Sequence, residues 1–120
     1  MAANCIFCKI IQGEIPSQRV IETDSAIVIR DIQPQAPKHL LVIPKQHVVS
    51  LDDLFSKESG SSSIEVAGSL LSIAHQAAKQ EGLLPDGFRT VINTGSGGGQ
   101  TVFHLHVHVL GGGGLSGSFG

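Results

Sequence analysis

The run Val102-Phe103-His104-Leu105-His106-Val107-His108-Val109-Leu110 alternates imidazole with apolar side chains, and no other stretch of the chain restricts the fold as much. Side chains on a β-strand point to opposite faces in turn. A strand here therefore carries His104, His106 and His108 on one face and Phe103, Leu105, Val107 and Val109 on the other. One face is fit for a core and the other for chemistry, because an unperturbed imidazole, with pKa about 6.5, exchanges protons, attacks electrophiles or binds metals near neutral pH. At ~3.3 Å per residue the outer two Cα atoms stand about 13 Å apart, too far for all three rings to share one zinc ion. A row of that length suits an extended polyanion such as a nucleotide phosphate.

The 120 residues are enough for one domain, read as 1–120, with 41% hydrophobic and 15% charged residues. A formal net charge of -2 gives no basic surface for a nucleic-acid backbone, so phosphate recognition has to be local and no nucleic-acid partner is expected. No apolar run approaches the ~20 residues of a membrane span, and the N-terminus lacks a basic segment followed by an apolar signal core. A cytoplasmic protein without a membrane partner is the expectation. Cys5 and Cys8 are too few and too close for a secreted disulfide framework.

Periodicity predicts a short helix through Cys5 to Ile11, capped by Asn4 and stopped by Gly13. β-like runs follow at Gln18 to Glu22 and Ala26 to Arg30, joined by a tight Thr23-Asp24-Ser25 turn, then an apolar strand from His39 that Pro44 ends. Ser50 caps a single turn at Leu51 to Phe55, and residues 57–63 read as a flexible polar loop. Ala67, Leu70, Leu71, Ala74, Ala77 and Ala78 recur at helical spacing between Ile64 and Glu81, with Gly82 as the stop. Phe88 to Asn93 and Val102 to Leu110 complete five strands, and residues 111–120 form a glycine-rich tail with little to pack. The expected class is α+β: a five-stranded antiparallel sheet with one long and one short helix.

Between the last two strands lies Gly95-Ser96-Gly97-Gly98-Gly99-Gln100-Thr101, which lacks the lysine of a P-loop. Its bare backbone is suited to cradle an anion through successive amides, beside the histidine row. The histidine pattern, together with Ile6-Phe7, Glu14-Ile15-Pro16, Asp31-Ile32, Pro34-Gln35-Ala36-Pro37, His39, Leu41 to Lys45, His47, Asn93 and Gly98 to Gln100, resembles the histidine-triad nucleotide-binding hydrolases in their Hint branch. The resemblance extends over nearly the whole chain. It implies hydrolysis of purine nucleoside 5′-phosphoramidates by a homodimer whose sheets join across a two-fold axis.

On that resemblance His106 is the nucleophile, forming a nucleotidyl-histidine that water then cleaves. His108 and His39 contact the phosphate, and Asn93, Gly99, Gln100 and Thr101 hold its oxygens, the Thr101 hydroxyl standing where many relatives carry serine. Asp31 accepts hydrogen bonds from the ribose. Ile6, Phe7, Ile10, Ile15, Ile29, Ile32 and Leu41 bracket the base, although as individual residues they need nothing beyond an ordinary core to explain them. No cofactor is required for catalysis.

Cys5 and Cys8 resemble half of a structural zinc site, which His47 and His104 complete in some relatives; the alternative is a pair of helix-borne thiols with no metal. The same superfamily also accommodates a dinucleoside polyphosphate hydrolase, a nucleotidyl transferase, or a non-catalytic nucleotide-binding scaffold dimer.

Overall fold

Residues 4–57 and 61–117 are described by the structure, a computed structural model. Five strands, β1 (Arg19–Glu22), β2 (Ala26–Arg30), β3 (Lys38–Pro44), β4 (Phe88–Val91) and β5 (Val107–Gly111), form one sheet in the order β1-β2-β3-β5-β4, with every neighbouring pair antiparallel. The expected α+β architecture holds. The helices are α1 (Ile6–Ile11), α2 (Leu51–Lys57) and α3 (Ser61–Gln80), and none among the described residues is long and apolar enough to cross a membrane.

Alternation along the strands divides the sheet into two chemically different faces. Ala26, Val28, Leu40, Val42, Val107 and Val109 point to one side and pack against Leu70, Ile73, Ala74, Ala77 and Ala78 of α3. The small alanines let the helix lie close to the sheet, and each buried branched residue contributes about 1.5–3 kcal/mol. Glu81, just past α3, takes both guanidinium nitrogens of Arg30, at 2.6 and 3.1 Å, and the Lys38 ammonium at 3.4 Å, tying that helix end to β2 and β3. On the opposite face Ile27, Ile29, Leu41 and Ile43 pack with Phe7 and Ile10 of α1. That second face carries the histidines.

Several local expectations are corrected. The cap of α1 is Cys5, whose sulfur accepts the Cys8 amide at 3.3 Å, and not Asn4. Gly13 does close the helix, at φ +82°, a conformation open to glycine and costly for other residues, while Arg19 donates to the orphan carbonyls of Ile10 and Ile11. Within the stretch read as a loop at 57–63, Lys57 ends α2 and Ser61–Ser63 open α3; residues 58–60 lie outside the described set. Ser63 is fully buried with its hydroxyl donating to the Leu54 carbonyl, which explains why a polar run is helical there. In the tail, Gly111 is the last residue of β5, paired with Lys38 and Phe88 and packed under Leu83; residues 118–120 are outside the described set.

The largest correction concerns the histidine strand, which begins at Val107 and not at Val102. Pairing with β3 stops at Val42, two residues before Pro44, and the Leu105 amide turns to the Val48 carbonyl at 2.7 Å. The alternation nonetheless survives the loss of ladder bonds: Leu105 and Val107 are buried beneath α3 and the three imidazoles lie on the other side. Phe103 is the exception, being half exposed.

Candidate active site and metal centre

A backbone N–H is always a donor and a carbonyl always an acceptor, so a ring nitrogen that meets one has its protonation settled. His106 Nδ1 lies 2.7 Å from the His104 carbonyl and therefore carries the proton, leaving Nε2 with a lone pair. His104 Nε2 lies 2.8 Å from the Pro44 carbonyl and donates to it, leaving Nδ1 with a lone pair. His39 Nδ1 accepts the Gln35 amide at 3.1 Å, so its proton is on Nε2 and is given to His108 Nδ1 at 2.9 Å. The remaining proton of neutral His108 is then on Nε2. Burial pushes the pKa of His39, His104 and His106 below the ordinary imidazole value; burial, with His106 and His39 nearby, takes His108 down to about 4 against the pull of Asp31. The rings are neutral at pH 7.

His106, His108 and His39 share a cavity of about 620 Å³ with Asn93, Gly99 and Thr101. Gln35, Val91, Gly98 and Leu110 complete its wall. Phe7 packs edge-on against His106 with ring centres 5.0 Å apart, and His106 against His108 likewise at 5.0 Å, which holds both imidazoles from the side.

The glycine loop turns the amides of Gly98, Gly99 and Gln100 inward. It closes on itself through a single turn of 3-10 helix at Ser96–Gly98, in which the amides of Gly98 and Gln100 donate to the Gly95 carbonyl and that of Gly99 to the Ser96 carbonyl, each at 3.0 Å. The left-handed φ of +85° at Gly99 makes this closure accessible. Asn93 donates to the Gly98 carbonyl at 2.8 Å, so it braces the loop. Gln100 is buried beneath it: its carbonyl oxygen accepts the Gly95 amide at 2.8 Å and its nitrogen donates to Val49 and Val102 at 2.7 and 3.0 Å. Gln100 supports the cavity without lining it.

Asp31 stands behind the cavity, Oδ2 at 3.4 Å from His39 Nε2 and Oδ1 accepting the Gln33 amide at 2.9 Å. The apolar residues expected around a base divide into three groups. Phe7, Ile10, Ile29 and Leu41 are core, Ile15 packs at its margin, and Ile6 and Ile32 are exposed, Ile32 at 94%.

Cys5, Cys8, His47 and His104 come together as a second centre, with their ligating atoms all within 4.8 Å of one another. His104 Nδ1 is 3.3 Å from Cys5 Sγ and 3.2 Å from His47 Nδ1, and His47 Nδ1 is 3.2 Å from Cys8 Sγ. A tetrahedron built from zinc bonds of ~2.0 Å to nitrogen and ~2.3 Å to sulfur has edges of about 3.3–3.8 Å. The four donors are thus arranged for such an ion, and the Pro44 carbonyl orients His104 as an outer partner usually does. Asp31, His39 and His108 also lie within 4.8 Å of one another, but there the Gln35 amide leaves His39 Nε2 protonated, without a lone pair for a metal. That second cluster is a hydrogen-bond chain.

Sequence reasoning missed the contributions of the backbone: the Gln35 amide and the His104 and Pro44 carbonyls. Main-chain groups have no residue signature. The one available hint was the pair Pro34 and Pro37, which stiffens the loop presenting that amide.

Residues 12–114 match the HIT domain family model, and the chain belongs to that family. It is 41% identical over 112 residues to the purine nucleoside phosphoramidase of Escherichia coli, covering 93% of this chain and 90% of that one. The 14 kDa zinc-binding protein of maize (Zea mays) is 51% identical over 107 residues, covering 89% and 80%. Among solved structures, a histidine triad protein from Clostridium difficile superposes with a TM-score of 0.89 at 39% identity, covering 99% of each chain.

Proposed function

We propose that this HIT-family hydrolase cleaves purine nucleoside 5′-phosphoramidates through a covalent nucleotidyl-histidine on His106. The observation that carries the reading is the neutral Nε2 lone pair of His106 in a cavity where a second imidazole, His108, offers an N–H donor. Nε2 attacks the α-phosphorus, the phosphorus–nitrogen bond breaks, and the amine leaves with a proton taken from solvent water through the Thr101 hydroxyl, which lines the cavity. Bonding to phosphorus makes the His106 ring cationic. The His104 carbonyl, already accepting its Nδ1–H, stabilises that charge without reorganising. Water then attacks phosphorus, the P–Nε2 bond breaks, and nucleoside monophosphate departs as Nε2 regains its lone pair, the proton released by the water returning to solvent by the same route and balancing the one the amine took. His108 holds a phosphate oxygen through its Nε2–H, His39 orients it from behind with both of its own nitrogens engaged, Asn93, Gly99 and Gln100 keep the loop beside them, and Asp31 receives the ribose hydroxyls. The base lies against Ile6, Ile15 and Ile32 over a floor of Phe7, Ile10 and Leu41.

The name of the E. coli relative supports the substrate class. The His106→Ala variant is expected to bind the product monophosphate within about tenfold of wild type while losing at least a thousandfold in kcat, since loss of a covalent nucleophile costs several kcal/mol of barrier. Retained turnover overturns the reading.

We also propose zinc at Cys5, Cys8, His47 and His104, supported by the donor geometry and by the name of the maize relative. Bound there, the ion would cross-link α1 to the segment after β3 and to His104; it plays no part in the chemical steps. A cytoplasmic homodimer joined sheet to sheet is part of the same reading. β1 and β4 are the outer strands available for that join, and light scattering in solution tests it.

A further inference from the structure

The proton on His39 Nε2 is given to His108 Nδ1 at 2.9 Å, and the Asp31 carboxylate stands beside the same nitrogen with Oδ2 at 3.4 Å. Its other nitrogen cannot take that proton, because the Gln35 amide already points at it from 3.1 Å and two donors would face each other. A directional chain results, from the Gln35 amide through His39 to His108, with the Nε2–H of His108 as its last donor beside the cavity. A carboxylate 3.4 Å from His39 Nε2 favours a proton on that nitrogen over a lone pair, and a proton there obliges His108 Nδ1 to accept and leaves the His108 proton on Nε2. The groups that face the pair from the surrounding elements are Asp31 after β2 and His106 before β5; the carboxylate is the one charge among them. The Gln33 amide fixes the Asp31 side chain through its other oxygen, so its position does not depend on a bound sugar.

We propose that Asp31 is a positioning residue for phosphate chemistry, acting through His39 to keep His108 as an Nε2–H donor, in addition to any contact with ribose. The kinetic part rests on the phosphoramidase reading; the claim about the proton chain does not.

The test compares wild type with Asp31→Asn on adenosine 5′-phosphoramidate and on its 2′,3′-dideoxy counterpart, and records histidine ¹⁵N spectra of both free proteins. A sugar contact alone predicts that Asp31→Asn is harmless on the dideoxy substrate and silent in the spectra. The proposal predicts a fall in kcat of roughly tenfold or more on both substrates, as the carboxylate that favours the His39 Nε2 proton is lost. It also predicts displaced His39 and His108 nitrogen resonances, restored by Asp31→Glu, which keeps the charge. Unmoved resonances together with an unimpaired dideoxy reaction overturn it. Should wild type hydrolyse neither substrate, the phosphoramidase reading fails, and the spectra of the free proteins still decide whether Asp31 sets the chain.

Discussion

His104 and His106 are joined by a 2.7 Å hydrogen bond from the imidazole of the second to the main-chain carbonyl of the first, while the ring of His104 faces Cys5 and Cys8. One residue thus serves two centres. Its backbone fixes the tautomer of His106, and its side chain belongs to the Cys5, Cys8 and His47 cluster. Phe7 reinforces the link, since its ring packs edge-on against both imidazoles, at 5.8 Å from His104 and 5.0 Å from His106.

This coupling makes metal removal a test with two readouts. Protein purified without chelators is expected to hold about one zinc per chain, and stripping it is expected to lower the thermal midpoint by about 5 °C or more and to lower kcat as His104 loosens. Cys8→Ser is expected to lose the metal and reproduce both effects. Elemental analysis and calorimetry on the same samples check this.

Acid should destabilise the fold in a defined window. His39 and His108 have folded pKa values below the unfolded value of about 6.5, His108 at about 4, so between these limits the unfolded chain binds more protons. Their contribution is complete above pH ~6.5 and is lost as pH falls toward ~4. The carboxyl of Glu81, held below the usual range chiefly by Arg30, adds a loss that begins under pH ~4.3. Urea unfolding at a series of pH values is expected to show stability falling steadily from pH 7 to 4, and Asp31→Asn, which removes the charge opposing these shifts, to steepen the fall.

Gln100→Ala removes three hydrogen bonds, one from the Gly95 amide within the glycine loop and two that tie the loop to the carbonyls of Val49 and Val102. Leaving buried partners unsatisfied is expected to cost about 2–3 kcal/mol of stability. Because the loop carries Gly99 and Thr101 into the cavity, kcat is expected to fall about tenfold or more while the fold persists. Chemical denaturation and steady-state kinetics check the two parts separately.

Thr101→Ser keeps the hydroxyl at the cavity wall and is expected to retain wild-type turnover; Thr101→Ala is expected to lose roughly tenfold in kcat with little change in KM. Equal activity of both variants would remove Thr101 from the proton path.

Much of this arrangement was legible in the chain because it rests on side-chain periodicity. Period two at Ala26 to Arg30 and at the end of the histidine run, and the alanine stripe of α3, recorded which face each residue would bury. The grouping of Cys5 and Cys8 with His47 and His104 followed from the resemblance of the motifs. What escaped was set by tertiary contacts: the polar Ser61–Ser63 became helical because Ser63 found a buried carbonyl, and the histidine strand began late because the chain before Val107 leaves β3, the Leu105 amide pairing with the Val48 carbonyl instead. The glycine loop was read as an open cradle since composition does not show whether amides turn outward or, as at Gly98, Gly99 and Gln100, back into their own loop.

Rapid-quench mass spectrometry of wild-type protein mixed with a purine nucleoside phosphoramidate tests the central claim most directly. The account predicts a transient nucleotidyl adduct on the tryptic peptide that follows Arg89, with fragment ions assigning it to His106. Product formed in a single turnover with no adduct, or an adduct on a residue other than His106, would contradict it.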